Sequence, residues 1–82
     1  MTNYELSDSA KLEIVDNRLH QLHSSKYDLQ LNLATAERAG NGDAVVELKK
    51  QLEDYDVAIE IHDVERNRLL NILGSQPDTE EE

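Results

Sequence analysis

The chain has 82 residues, no cysteine, and eighteen acidic against eight basic side chains, for a formal net charge of -10. A chain of this length forms one small domain, and small domains commonly depend on a disulfide, a metal or a partner chain. The absence of cysteine excludes disulfides and thiolate metal sites. The acidic balance argues against direct binding of nucleic acid, which needs clustered Lys and Arg. Composition therefore favours support from another chain.

The first predicted element is a helix over residues 7–39, preceded by a frayed segment, residues 1–6. Thr2 with Glu5 has capping-box spacing, whereas Ser7 or Ser9 could cap a later start, and we favour a start near Ser7. Apolar residues then recur at alternating steps of three and four, which puts them on one stripe of a helix. With Lys26 as the only interruption, the stripe comprises Leu12, Val15, Leu19, Leu22, Leu29, Leu33 and Ala36.

The helical pattern stops at residues 40–43, which we predict to be a turn. Gly40 can end one helix in the left-handed conformation, Asn41-Gly42 is a turn dipeptide, and Asp43 can cap the next helix. A second helix is predicted over residues 44–73. Two long helices joined by so short a connection must fold back on each other. The predicted fold is thus all-α: an antiparallel, coiled-coil-like two-helix hairpin.

The second predicted helix has apolar residues on two opposite sides. Its heptad seam, which would face the first helix, comprises Val45, Leu48, Leu52, Tyr55, Ile59, His62, Arg66, Leu69 and Leu73. A second stripe comprises Val57, Ile61, Val64 and Ile72. One helix cannot cover both sides, so another must pack on the second stripe. We expect a second copy of the chain, giving a homodimeric four-helix bundle; a groove on a different protein is the alternative.

Acidic residues are concentrated on the second helix. Residues 51–65 contain six acids and no Lys or Arg. The candidate partner surface among them consists of Glu53, Asp56, Glu60 and Asp63. Its ordinary interpretation is a solvated face. The alternative is a surface that binds a basic protein, including by mimicry of a nucleic-acid backbone.

Few residues are arranged for chemistry. His20 and His23, with Asp16 one turn earlier, come closest to a metal cluster, but no further ligand is evident, so neither a metal nor a cofactor is predicted. Lys26 and Arg66 interrupt the two seams, as polar residues that fix helix register do. Lys26 would lie near the level of Asp54, Tyr55 and Asp56, so we expect a hydrogen bond or an ion pair there. There is no glycine-rich phosphate loop, and we predict that the protein is not an enzyme.

Three acids lie near the tip of the predicted hairpin: Glu37, Asp43 and Glu47. Over residues 33–70 this arrangement resembles the coiled-coil finger of the bacterial Gre-type transcript-cleavage factors, which carry acids at the tip of such a hairpin. The spacing of the tip acids differs from that family, and its globular second domain has no counterpart in this sequence. The function of that family is therefore not carried over.

The sequence predicts a protein–protein interaction module. Residues 74–82 are expected to be a disordered acidic tail, because Gly74 and Pro77 stop the helix. Neither a signal peptide nor a membrane span is evident, so we expect a cytoplasmic protein. The expected function is a structural or adaptor hairpin that binds itself and an unidentified protein, and any charged partner should be basic. The alternative is an acidic inhibitor that blocks a basic groove on its target.

Overall fold

Two long helices make up the computed structural model, which describes residues 5–74. Helix α1 spans Asp8–Ala39 and helix α2 spans Gly42–Gly74, and they pack against each other along their length. The predicted all-helical hairpin is confirmed. The predicted frayed segment lies outside the described residues except for Glu5 and Leu6, which are not helical. Of the predicted acidic tail, residues 74–82, only Gly74 is described, and it is the last residue of α2.

Helix α1 begins where a serine can cap it. Ser7 is in an extended conformation, and its Oγ accepts a hydrogen bond of 3.1 Å from the backbone N–H of Ala10. The backbone N–H of Lys11 donates to the carbonyl of Ser7 at 2.9 Å. The first bond satisfies one of the N–H groups that the first turn of a helix leaves unpaired, and the second is the first intrahelical bond of α1. Ser7 is thus the cap, and the helix itself begins one residue later.

The turn between the helices is shorter than the sequence predicts. Gly40 has a φ of 72°, and the N–H groups of Gly40 and Asn41 donate to the carbonyls of Glu37 and Ala36, forming a Schellman motif. Asn41 then caps α2, since its Oδ1 accepts from the N–H of Ala44 at 3.2 Å. Asp43, the predicted cap, instead lies in the first turn of α2, where its negative charge complements the helix dipole.

The apolar core lies between the helices and is small. Within residues 5–74, the buried apolar side chains are Val15, Leu19, Ala36, Ile59 and Leu69. Four of them form one cluster near the open end of the hairpin, with Leu12 and Leu22 packed against it. Leu69 is the most deeply buried, with 0% of its surface exposed. Closer to the turn, seam residues such as Leu48 and Leu52 are only half-buried.

Two ion pairs between the helices report their register. Lys26 Nζ lies 2.6 Å from Asp56 Oδ1, and Arg66 Nε lies 2.6 Å from Asp16 Oδ1. Lys26 is ten residues after Asp16 on α1, and Arg66 is ten residues after Asp56 on α2, so both pairs report the same antiparallel alignment. The Lys26 pair lies at the level that the sequence predicts. Asp16 is the partner of Arg66 that sequence reasoning did not identify.

Candidate interaction surface

A stripe of exposed apolar side chains runs along α2, on the side facing away from α1. Val57, Ile61 and Val64 are 56%, 61% and 63% exposed, and we call these three residues the outer stripe. By contrast, Ile59 is 9% exposed and Leu69 is fully buried. At ~100° per residue, the two valines lie roughly opposite the side chains that pack on α1. The hairpin therefore leaves the second apolar side of α2 uncovered.

Ile72, the fourth residue predicted for this stripe, has a different environment. It is half-buried. On the helical wheel it lies about 60° from Leu69, close enough for its side chain to reach the edge of the seam. Ile72 is therefore less exposed than Val57, Ile61 and Val64, and we restrict the outer stripe to those three residues.

Further exposed apolar residues were not singled out from the sequence. Val46, on α2, is 67% exposed, and Tyr27 and Leu31, on α1, are 60% and 50% exposed. Val46 is eleven residues before Val57, a spacing that returns to the same side of a helix. That spacing could have revealed Val46. Tyr27 and Leu31 are four residues apart and share a side of α1.

The acidic surface is only partly free of counter-ions. Asp56 is the partner of Lys26, so one of its four predicted acids is compensated inside the hairpin. Glu53, Glu60 and Asp63 are exposed, and across residues 5–74 none of them has a cation within ion-pair distance. Helix α2 contains eight acids against four bases, whereas α1 contains five against four. The excess of negative charge is thus larger on α2 than on α1.

Glu65 and Arg68 form a two-pronged ion pair one turn apart on α2. Arg68 donates from Nε to Glu65 Oε1 at 2.8 Å and from Nη2 to Oε2 at 2.6 Å. The hydrogen bond from Arg68 holds the pKa of the Glu65 carboxyl below its usual value, and the same contact raises the pKa of Arg68. Both groups are therefore charged at neutral pH.

The histidines do not gather into a site. In the part of the chain that the structure describes, no group of three or more His, Cys, Asp or Glu side chains could hold a metal ion. Asp16, which the sequence places beside His20 and His23, is bonded to Arg66. His62 is half-buried, and its Nδ1 donates to the Ala58 carbonyl at 2.7 Å.

An open groove lies between the helices, beside the seam. Its volume is about 380 Å³, and it is lined by Arg18, Gln21, Leu22, Ser25, Tyr55 and His62. Side chains from both helices form it. The groove is shallow and open to solvent, whereas small-molecule sites usually enclose most of their ligand. The outer stripe therefore remains the candidate site.

The outer stripe is the surface on which a functional interpretation depends. Two of its residues, Ile61 and Val64, line a second shallow depression together with Glu60 and Glu65. Among residues 5–74, neither helix has an apolar segment of the length needed to cross a membrane.

Comparisons of the chain with protein-family models, with curated proteins and with solved structures found no significant match.

Proposed function

We propose that this protein is a non-enzymatic interaction module, a helical hairpin that pairs with a second copy of itself and joins a larger cytoplasmic assembly as a structural or adaptor component. The observation that carries the proposal is the exposure of the outer stripe, 56–63% for its three residues. In the dimer, α2 lies between its own α1 and the α2 of the second copy. The assembly then contains four helices.

Burial energetics support association. Burying a Val or Ile side chain is worth about 1.5–3 kcal/mol, and the outer stripe supplies three such residues per copy. The core within the hairpin contains only five buried apolar side chains among residues 5–74. A small core of this kind gives a modest stability. Association couples further burial to folding, so the dimer stabilises the hairpin as well.

Replacing Val57 and Val64 together by Asp tests the proposal. We expect light scattering at high micromolar concentration to give twice the chain mass for the wild type and the single mass for the variant, because two carboxylates cannot be buried unpaired in an apolar contact. Leu31→Asp is the matched control, since Leu31 is also half exposed but lies on α1; it should remain dimeric. A monomeric wild type, or a variant of unchanged mass, would refute the proposal.

A second candidate function follows from the acids that lack a counter-ion. We infer that Glu53, Glu60 and Asp63 could meet a basic groove of a target protein, so that the chain acts as an inhibitor. Charge complementarity of this kind speeds encounter and selects the partner. The three side chains are exposed and unpaired within residues 5–74, as such a surface requires.

A basic probe peptide distinguishes this second function from the first. With an amphipathic Lys- and Arg-rich peptide, we expect Glu60→Lys combined with Asp63→Lys to reduce binding at least tenfold, and added salt to weaken the wild-type complex. Asp28→Lys is the control, because Asp28 is an exposed acid of α1. Equal affinity of all three proteins for the peptide would discard the inhibitor hypothesis.

A further inference from the structure

Charged residues of opposite sign lie at the two ends of the outer stripe. Glu53 and Asp54 lie one turn before Val57, and Arg68 lies one turn after Val64. At ~100° per residue, all three lie within about 60° of the centre of the stripe. Along the helix, this surface is therefore acidic at one end, apolar in the middle and basic at the other end. This order of charges limits which surfaces can pack on it, and in which direction.

We propose that the outer stripe packs against the outer stripe of a second copy in the antiparallel orientation, so that Arg68 of each copy meets Glu53 and Asp54 of the other. This inference rests on the proposed dimer and specifies its geometry. A two-fold axis perpendicular to α2 passes near Glu60 and Ile61. Val57 of one copy then lies opposite Val64 of the other.

Charge decides between the two orientations. In the antiparallel pair, each basic end of the stripe meets an acidic end, which gives two favourable contacts per dimer. In a parallel pair, Arg68 would face Arg68, and the acids Glu53 and Asp54 would face their own counterparts. Like charges placed opposite each other across an interface are unfavourable, so the sequence of charges along α2 selects the antiparallel dimer.

The hydrogen-bonding capacity of Arg68 permits this contact. A guanidinium has five N–H donors, and the bonds to Glu65 engage one on Nε and one on Nη2. The remaining donors can bind a carboxylate of the second copy without breaking the Glu65 pair. Glu53 and Asp54 are exposed, and within residues 5–74 no cation lies at ion-pair distance from either.

One contact opposes the dimer. Glu60 lies beside the proposed axis, so its carboxylate approaches that of Glu60 in the second copy. In addition, three apolar residues per copy bury less than the ~800 Å² per partner of a standard stable interface. The dimer should accordingly dissociate in the micromolar range. Glu60→Gln is expected to tighten it severalfold, because it removes the repulsion and keeps the shape of the side chain.

Disulfide trapping tests the orientation, and the lack of native cysteine leaves no background. Lys50 is one heptad before Val57, and Asn71 is one heptad after Val64. The antiparallel register therefore brings Lys50 of one copy opposite Asn71 of the other. The Lys50 positions of the two copies lie about 31 Å apart along the helices, which is far beyond the Cα separation of ~4.4–6.8 Å that a disulfide allows.

Mixing Lys50→Cys with Asn71→Cys under mild oxidation should give the mixed disulfide, whereas each variant alone should remain uncrosslinked. Disulfides within each single variant would indicate a parallel dimer, overturning the orientation but not the proposed function. If no disulfide forms but light scattering still gives twice the chain mass, the two copies pair through another surface. That result also overturns the inference. Absence of crosslinks together with a single-chain mass would refute both the orientation and the dimer.

Charge reversal gives an independent check. Arg68→Glu is expected to weaken the dimer about tenfold, and Glu65→Gln, which breaks the same intrahelical pair but keeps the guanidinium, should not weaken it. Mixing Arg68→Glu with the double variant Glu53→Lys, Asp54→Lys should yield a heterodimer tighter than either variant with itself, as complementary reversal predicts. Preference of each variant for itself would overturn the proposed contact.

Discussion

Leu69→Ala is expected to lower the free energy of unfolding by about 2–5 kcal/mol, the usual cost of emptying a buried leucine site. Leu69 has 0% of its surface exposed and packs in the cluster with Val15, Leu19 and Ile59. The core within the hairpin is small, so few neighbours can close the cavity. Urea unfolding followed by circular dichroism measures the change, and the midpoint should fall without a change in slope.

The adjacent residue provides the control for this prediction. Leu70 has the same side chain but is 38% exposed, because a step of one residue turns it away from the seam by ~100°. Leu70→Ala should therefore cost about 1 kcal/mol or less, as for a surface substitution with little packing. Equal destabilisation by the two substitutions would contradict the packing of the seam described above.

The sequence was sufficient to predict the hairpin, because its signals are local and agree with each other. Apolar spacing defined both helices, and Gly40 marked the end of the first. Folding the chain at this turn puts Lys26 near Asp54, Tyr55 and Asp56, and in the structure it pairs with Asp56. The Arg66 pair with Asp16 does not follow from the apolar spacing, because Asp16 is not a seam residue and its spacing to His20 and His23 concerns its own helix alone.

The choice of helix cap and the exposure of side chains at the edge of the seam were harder to predict from the sequence, because neighbouring residues compete for the same role. Asn41 and Asp43 are both good caps, and spacing alone does not choose between them; the tight Schellman geometry at Gly40 places Asn41 at the start of α2. Apolar spacing predicts Ile72 for the second stripe, whereas the structure shows it half-buried, at an intermediate angle of about 60° from Leu69 on the helical wheel. A side chain in that position can turn toward either side, and packing decides.

The sequence was sufficient to locate the candidate surface but not to identify the molecule that covers it. The spacing of Val57, Ile61 and Val64 identifies a stripe whatever covers it. Pairing of Asp56 with Lys26 depends on tertiary structure, and it reduces the acidic surface that composition suggests. The contact proposed for Arg68 depends on the exposure of the outer stripe, because a buried stripe could not contact a second copy. Exposure is known only from the structure.

Placing the same charge at two positions on α2 separates folding from association. Ile59→Asp puts a carboxylate into the seam, where Ile59 is 9% exposed and packs in the apolar cluster with Leu19 and Leu69. Burial of an unpaired charge costs several kcal/mol, comparable to the whole stability of a small domain. We expect loss of most of the helical circular dichroism signal.

Ile61→Asp, two residues further along α2, should abolish association and leave folding intact. Ile61 is 61% exposed, so its carboxylate stays in water and the hairpin retains its helical signal. Association is lost instead, because Ile61 lies near the proposed two-fold axis. The wild-type melting temperature should therefore rise with protein concentration, whereas that of Ile61→Asp should not, as mass action requires of a folded monomer. If both variants unfolded, the hairpin would not fold without burial of Ile61, which would contradict the expectation of a folded monomer.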